Sequence, residues 1–184
     1  MKKNFLRTTV AVAGAMLASI SSFAASNQTT APETQAQLEQ KVRHELVMLP
    51  YFNIYDDISF RVDNGKVTLL GEVTRPTLKS DAEGVVKRIA GVTGVENQIE
   101  VLPLSNFDNG IRVRVARAVY GQSALNRYAL GAHPSIHIIV KNGNVTLEGV
   151  VANQMDRNIA GIQANAVSGV FNVTNNLRVE SPRS

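Results

Sequence analysis

The sequence predicts an α+β protein built from two tandem α-β-β-α-β domains, each a three-stranded mixed sheet covered on one face by two helices. Three observations predict it. Residues 58–103 align with residues 136–181 at an offset of 78, without a gap. An Asn-Gly pair stands at the same place in both copies, Asn64-Gly65 and Asn142-Gly143, between runs of alternating apolar residues. Apolar residues at helical spacing precede and follow each alternating run. A fixed internal period means that one supersecondary unit is used twice.

In the first copy, Leu38, Val42, Leu46 and Leu49 stand at i, i+4, i+8 and i+11, one face of a helix that Pro50 ends. A loop spans 51–57. Ile58, Phe60 and Val62 then alternate with polar residues as a half-buried strand. Asn64-Gly65 suits a type I′ turn, which requires positive φ at both central positions. Val67, Leu69, Gly71 and Val73 form the return strand. Leu78, Ala82, Val85, Val86 and Ile89 mark a second helix, with Gly91 at its C-terminal cap. Val95, Asn97, Ile99 and Val101 form a third strand. A right-handed crossover sets it parallel to the second and puts both helices on one face.

The second copy repeats this after a linker. Residues 111–120, IRVRVARAVY, alternate at their start like a strand. Their place before the hairpin and the spacing of Ile111, Val115 and Val119 predict a helix instead. In the later helix, Ala160, Ala164 and Val167 keep the first copy's stripe. Met155, Ile159, Ile162 and Ala166 sit one position off it, so the apolar face is broader there or the helix is rotated.

The N-terminus reads as a secretory signal peptide. Lys2, Lys3 and Arg7 precede an apolar run of 16 residues, short of the ~20 that span a bilayer, and Ser22-Phe23-Ala24 supplies small residues at a cleavage site. The expected organisation is a leader at 1–24, a disordered polar lead-in at 25–36, a domain at 37–103, a linker at 104–108 and a domain at 109–181. Cleavage removes three of the 19 basic residues and leaves 16 against 15 acidic, a net of +1, so the high isoelectric point says nothing about nucleic acid. The halves differ: residues 36–103 carry 8 basic and 10 acidic residues, residues 108–184 carry 8 and 4. The chain contains no cysteine, so an exported form relies on its cores alone and has no acylation site after the leader.

Both copies resemble the BON domain family. The residues that carry the resemblance are the Asn-Gly turn, the V-T-L-x-G-x-V strand after it (67–73 and 145–151), the later helix, and the ending with Gly94-Val95 or with Gly169-Val170 and Val173. The resemblance covers nearly all of the chain after the leader. It implies an α-β-β-α-β fold, no catalytic centre, a periplasmic or other envelope location, and attachment to phospholipid or envelope surfaces. It also implies lipid contact by the first helix of the second domain.

That helix offers candidate residues. On a helical wheel Ile111, Val115, Ala118 and Val119 face the core, and Arg114 and Arg117 flank the outside beside Val113 and Tyr120. With Arg112 or Arg127 this is a cationic, partly apolar surface suited to anionic phospholipid. The bland alternative is that these side chains pack against the first domain or are solvated. The outer hairpin faces carry Leu70, Ile139 and Val150, a candidate contact for a domain or a protein partner, and a chaperone-like role would use them. His133 and His137 share no helix face and no cysteine or carboxylate cluster accompanies them, so no metal site or cofactor is expected. Asp56-Asp57 reads as turn chemistry, and no nucleophile–base pair stands out, so no enzyme is expected.

Overall fold

The computed structural model describes residues 34–131 and 133–180; the expected leader, and the lead-in up to residue 33, lie outside them. The first domain comprises α1 (Gln35–Val47), β1 (Asp57–Asp63), β2 (Lys66–Val73), α2 (Pro76–Lys87), β3 (Gly94–Asn97) and β4 (Glu100–Val101). The second comprises α3 (Asn106–Tyr120), a short 3-10 turn (Asn126–Ala129), β5 (Ile136–Lys141), β6 (Asn144–Val151), α4 (Gln154–Asn165), β7 (Asn172–Asn175) and β8 (Arg178–Val179).

In each domain the hairpin is antiparallel and the later strand runs parallel to its second arm. Asn64 and Gly65 (φ 49° and 81°), and Asn142 and Gly143 (52° and 75°), occupy the left-handed region that a type I′ turn requires. The expected third strand is broken in two, and both pieces pair with the same neighbour. The break is made by an inward-facing asparagine. Asn97 accepts from Ile99 N (3.2 Å) and donates to Lys79 O on α2 (2.8 Å). Asn175 accepts from Leu177 N (3.2 Å) and donates to Arg157 O on α4 (2.7 Å). Each side chain satisfies the local backbone where the ladder stops and ties strand to helix. The two residues that follow the break, Ile99 and Leu177, are buried.

Leu38, Val42, Leu46, Val67, Leu69, Val73, Leu78, Ala82 and Val86 build the first core. Ile111, Val115, Val119, Ile138, Val145, Leu147, Ala160 and Ala164 build the second. The off-register stripe of α4 is therefore mostly not core. Ala160 and Ala164 face inward, Ile159 packs partly, and Met155 and Ile162 stand exposed.

The helix-free sheet faces approach each other. Segment 52–56 of the first domain caps the free edge of β5, with Ile138 N donating to Ile54 O at 2.7 Å. His137 Nδ1 donates to Asp56 O at 2.6 Å, and the His137 ring stacks on Phe52 with centroids 5.4 Å apart. Tyr55 packs against the second domain's core, and Lys141 pairs with Glu100 at 2.5 Å. Ile139, expected on an open outer face, is instead 2 % exposed, because its same-face neighbours His137 and Lys141 are both engaged by the first domain. Leu70 and Val150 are half-buried. Asp56 bears out its reading as turn chemistry: its carboxylate accepts from Asn53 N, Thr74 N and the Thr74 hydroxyl.

Candidate functional site

The helix α3 begins inside the stretch expected to be linker. Ser105 caps it, its hydroxyl accepting from Asp108 N at 3.1 Å, and Asp108 places negative charge in the first turn. Ser105-Asn-Phe-Asp108 is thus a helix-start signal that sits before the first apolar residue of the stripe. Asp108 is 1 % exposed; its carboxylate accepts from Asn142 N (3.0 Å) and Gly143 N (2.8 Å), which anchors the β5–β6 turn to the helix.

Two expected surface residues turn inward. Arg112 is 4 % exposed and donates to Val140 O at 2.7 Å and to Asn109 Oδ1. It follows Asp108 by four residues and precedes Val115 by three, so it lies on the buried stripe. Burial lowers its pKa, and the nearby Asp108, Asp56 and Tyr55 oppose that shift. Tyr120 is half-buried against the second core. Its hydroxyl donates to Ile136 O, and burial raises its pKa. Arg127 is exposed but engaged: it pairs with the buried Asp156, and its guanidinium lies 4.9 Å from the Tyr128 ring centroid. Arg112 and Tyr120 therefore work as internal struts, and the charge of Arg127 is already compensated.

Val113, Arg114 and Arg117 do face outward. Around Arg114 the structure assembles what the sequence did not display. Gly110 leaves room for the arginine, since a Cβ there would lie 3.0 Å from Arg114 Nη1. Arg114 Nη2 donates to Ser168 O at 3.2 Å, just beyond α4. Phe107 and Phe171 meet beside it with centroids 6.1 Å apart and rings tilted by 31°. Phe171 lies over Gly143, where a Cβ would come within 2.5 Å of its ring, and Phe107 lies against Gly169. Both rings stay open to solvent, at 51 % and 74 % exposure, and Leu104 projects nearby in sequence at 96 %.

Three segments distant in sequence thus converge: the start of α3, the Asn142-Gly143 turn and the Gly169–Phe171 loop. They form an exposed aromatic pair next to Arg114, with Arg117 one helical turn on. Neither arginine meets a carboxylate among the described residues. Asp108 and Asp156 of the second domain are buried, and its Glu148 interacts with the first domain's Asp57. The first domain has no such surface. At the equivalent positions it has Thr34, Gln40, Lys41, His44 and Thr93.

A family model described as BON domain matches residues 34–103 and again 108–181. The chain belongs to the BON-domain family. It carries two BON domains in tandem, and each has the mixed sheet and helix pair described above. BON domains are associated with phospholipid binding and with envelope and osmotic-stress proteins, and no catalytic activity attaches to the family. Among curated proteins no match was found. Two solved structures from Chlamydia trachomatis are similar. One, a study of CdsD, a structural protein of the type III secretion system, is 13 % identical with a TM-score of 0.30 and covers 76 % of this chain and 90 % of its own. The other, the C-terminal domain of CdsD, is 12 % identical with a TM-score of 0.29 and covers 81 % and 100 %.

Proposed function

We propose that this protein is a non-enzymatic envelope protein, exported to the periplasm, that attaches peripherally to anionic phospholipid through the outer face of α3 in its second BON domain. The observation that carries the reading is the exposed Phe107–Phe171 pair beside Arg114 and Arg117, two cations without a carboxylate partner among the described residues. Phenylalanine rings bury in the acyl boundary just beneath the headgroups, and guanidinium groups meet lipid phosphate above them. No helix among the described residues is long and apolar enough to cross a membrane. Each basic residue near an anionic leaflet contributes about 1 kcal/mol, so two arginines and a few apolar side chains give weak, salt-sensitive binding. A protein-holding role for the sheet faces is less well supported, because Ile139 on that face is already covered.

The test is flotation of the chain from Ala25 onward with vesicles of phosphatidylglycerol or of phosphatidylcholine, at low and physiological salt. Binding is expected with the anionic vesicles only. Salt weakens it, and reversing both charges (Arg114→Glu with Arg117→Glu) reduces it at least about tenfold, since each reversal both removes an attraction and adds a repulsion. Equal flotation with both vesicle types, or no effect of the double reversal, defeats the reading.

A further inference from the structure

We propose that the cleft between the two BON domains is a binding site for a small amphipathic anion, a carboxylate or comparable monoanionic head on a short apolar body. The cleft is open on one side and offers about 400 Å³, within the range of small-molecule sites, and such sites favour domain interfaces. Both domains build it: Phe52, Ile54 and Arg75 come from the first, His133, Pro134 and His137 from the second. Its walls are largely apolar and already ordered. Phe52 is stacked on His137, and the Ile54 carbonyl is held by Ile138 N.

Arg75 supplies the charge. Its guanidinium lies 4.8 Å from the Tyr51 ring centroid and meets no carboxylate among the described residues. Tyr51 is held at φ 70°, a conformation costly for a bulky side chain, and Asn53 Nδ2 donates to its carbonyl at 2.9 Å. The Tyr51 ring that the strained backbone presents is the one on which Arg75 lies. A planar cation fixed over an aromatic ring keeps its outer N–H groups free for a carboxylate, while an apolar body lies against Phe52, Ile54 and Pro134. A ligand held in this way touches both domains and draws them together.

The cleft shares no lining residue with the α3 surface, so the experiment uses the Arg114→Glu, Arg117→Glu background and the full chain from Ala25. The 15N-labelled protein is titrated with sodium octanoate, with 1-octanol as an uncharged counterpart and inorganic phosphate as a head without a body. Octanoate is expected to shift the amides of Phe52–Tyr55 and of Ile136 and His137 saturably, in roughly the millimolar range for a ligand of about ten heavy atoms. Arg75→Ala should weaken this about tenfold or more, as loss of a charge-assisted pair does, and Arg75→Lys less. Octanol and phosphate should each bind more weakly than octanoate. The proposal is overturned if those amides do not move, if Arg75→Ala binds octanoate as well as the parent, or if either counterpart matches octanoate.

Discussion

Gly149→Ala is expected to destabilise the protein by about 3 kcal/mol or more. Gly149 lies inside β6 at φ +122°, outside the regions open to a residue with a side chain. A Cβ built there would stand 2.0 Å from the Ser135 carbonyl oxygen and 3.0 Å from its carbon. Those are backbone atoms, so relief requires the start of β5 to move, and the Ile136–Gly149 pairing moves with it. Strained φ and overpacking each cost roughly 1–3 kcal/mol, and here they act together. The first domain repeats the arrangement, with Gly71 at φ +115° and a Cβ 2.3 Å from Asp57 O. Gly94 is the control: a Cβ there meets nothing within 4 Å, so Gly94→Ala should leave stability nearly unchanged. Urea unfolding followed by circular dichroism checks both. A Gly149→Ala midpoint equal to the parent's would refute this account of the strand glycines.

Asp57→Asn should stabilise the protein at pH 7.5 by about 1–3 kcal/mol, with no gain near pH 4. Burial, and then repulsion from Glu148, push the Asp57 pKa up from 3.8 to about 6, while Arg178 pulls the other way. A carboxyl whose folded pKa is raised contributes its stability below the unfolded value, and that contribution is lost as pH rises through about 6. About two pKa units correspond to roughly 3 kcal/mol at most, at 1.36 kcal/mol per unit. Asparagine keeps the shape and never charges, so the stability difference between variant and parent should grow from pH 4 to 7.5. Glu72 has the same sign: burial raises its pKa first, then Glu100, Asp57 and Glu148, against Lys141. His137 has the opposite sign. Burial lowers its pKa, so its contribution is present above 6.5 and is lost as pH falls through the lowered value. Subtracting the Asp57→Asn curve from the parent curve removes the His137 contribution and leaves that of Asp57 together with its repulsion of Glu72. A flat difference across pH 4–7.5 would show that Asp57 is not desolvated as the structure has it.

The repeat, the hairpins and the helix faces were legible because each rests on local periodicity. The Asn-Gly pairs declared their turns, and Leu38, Val42 and Leu46 their buried stripe. Three features were not legible. The first is the break in the third strand: Asn97 and Asn175 stand where an apolar residue belongs, and their reason is a hydrogen bond to a helix carbonyl 18 residues away. The second is Arg112. A wheel that assigns charge to the outside cannot see that Val140 O and Asn109 wait for it inside. The third is the aromatic pair. Phe107 lay in apparent linker and Phe171 in a loop, and only the fold carries them to one end of the second domain. Ser105 and Asp108, spaced as a helix cap, were the one signal that could have put Phe107 on a helix face.

The proposed seating of that aromatic pair in an anionic membrane surface can be read with one fluorescent reporter. The chain has no tryptophan, so Phe171→Trp introduces the only indole, and Thr93→Trp places one at the equivalent position of the first domain. On adding phosphatidylglycerol vesicles, the emission of the Phe171→Trp protein should shift to the blue and become shielded from an aqueous quencher, while the Thr93→Trp protein stays unchanged. Unchanged emission from Phe171→Trp at lipid concentrations where the protein floats, or a shift at Thr93→Trp instead, would contradict it.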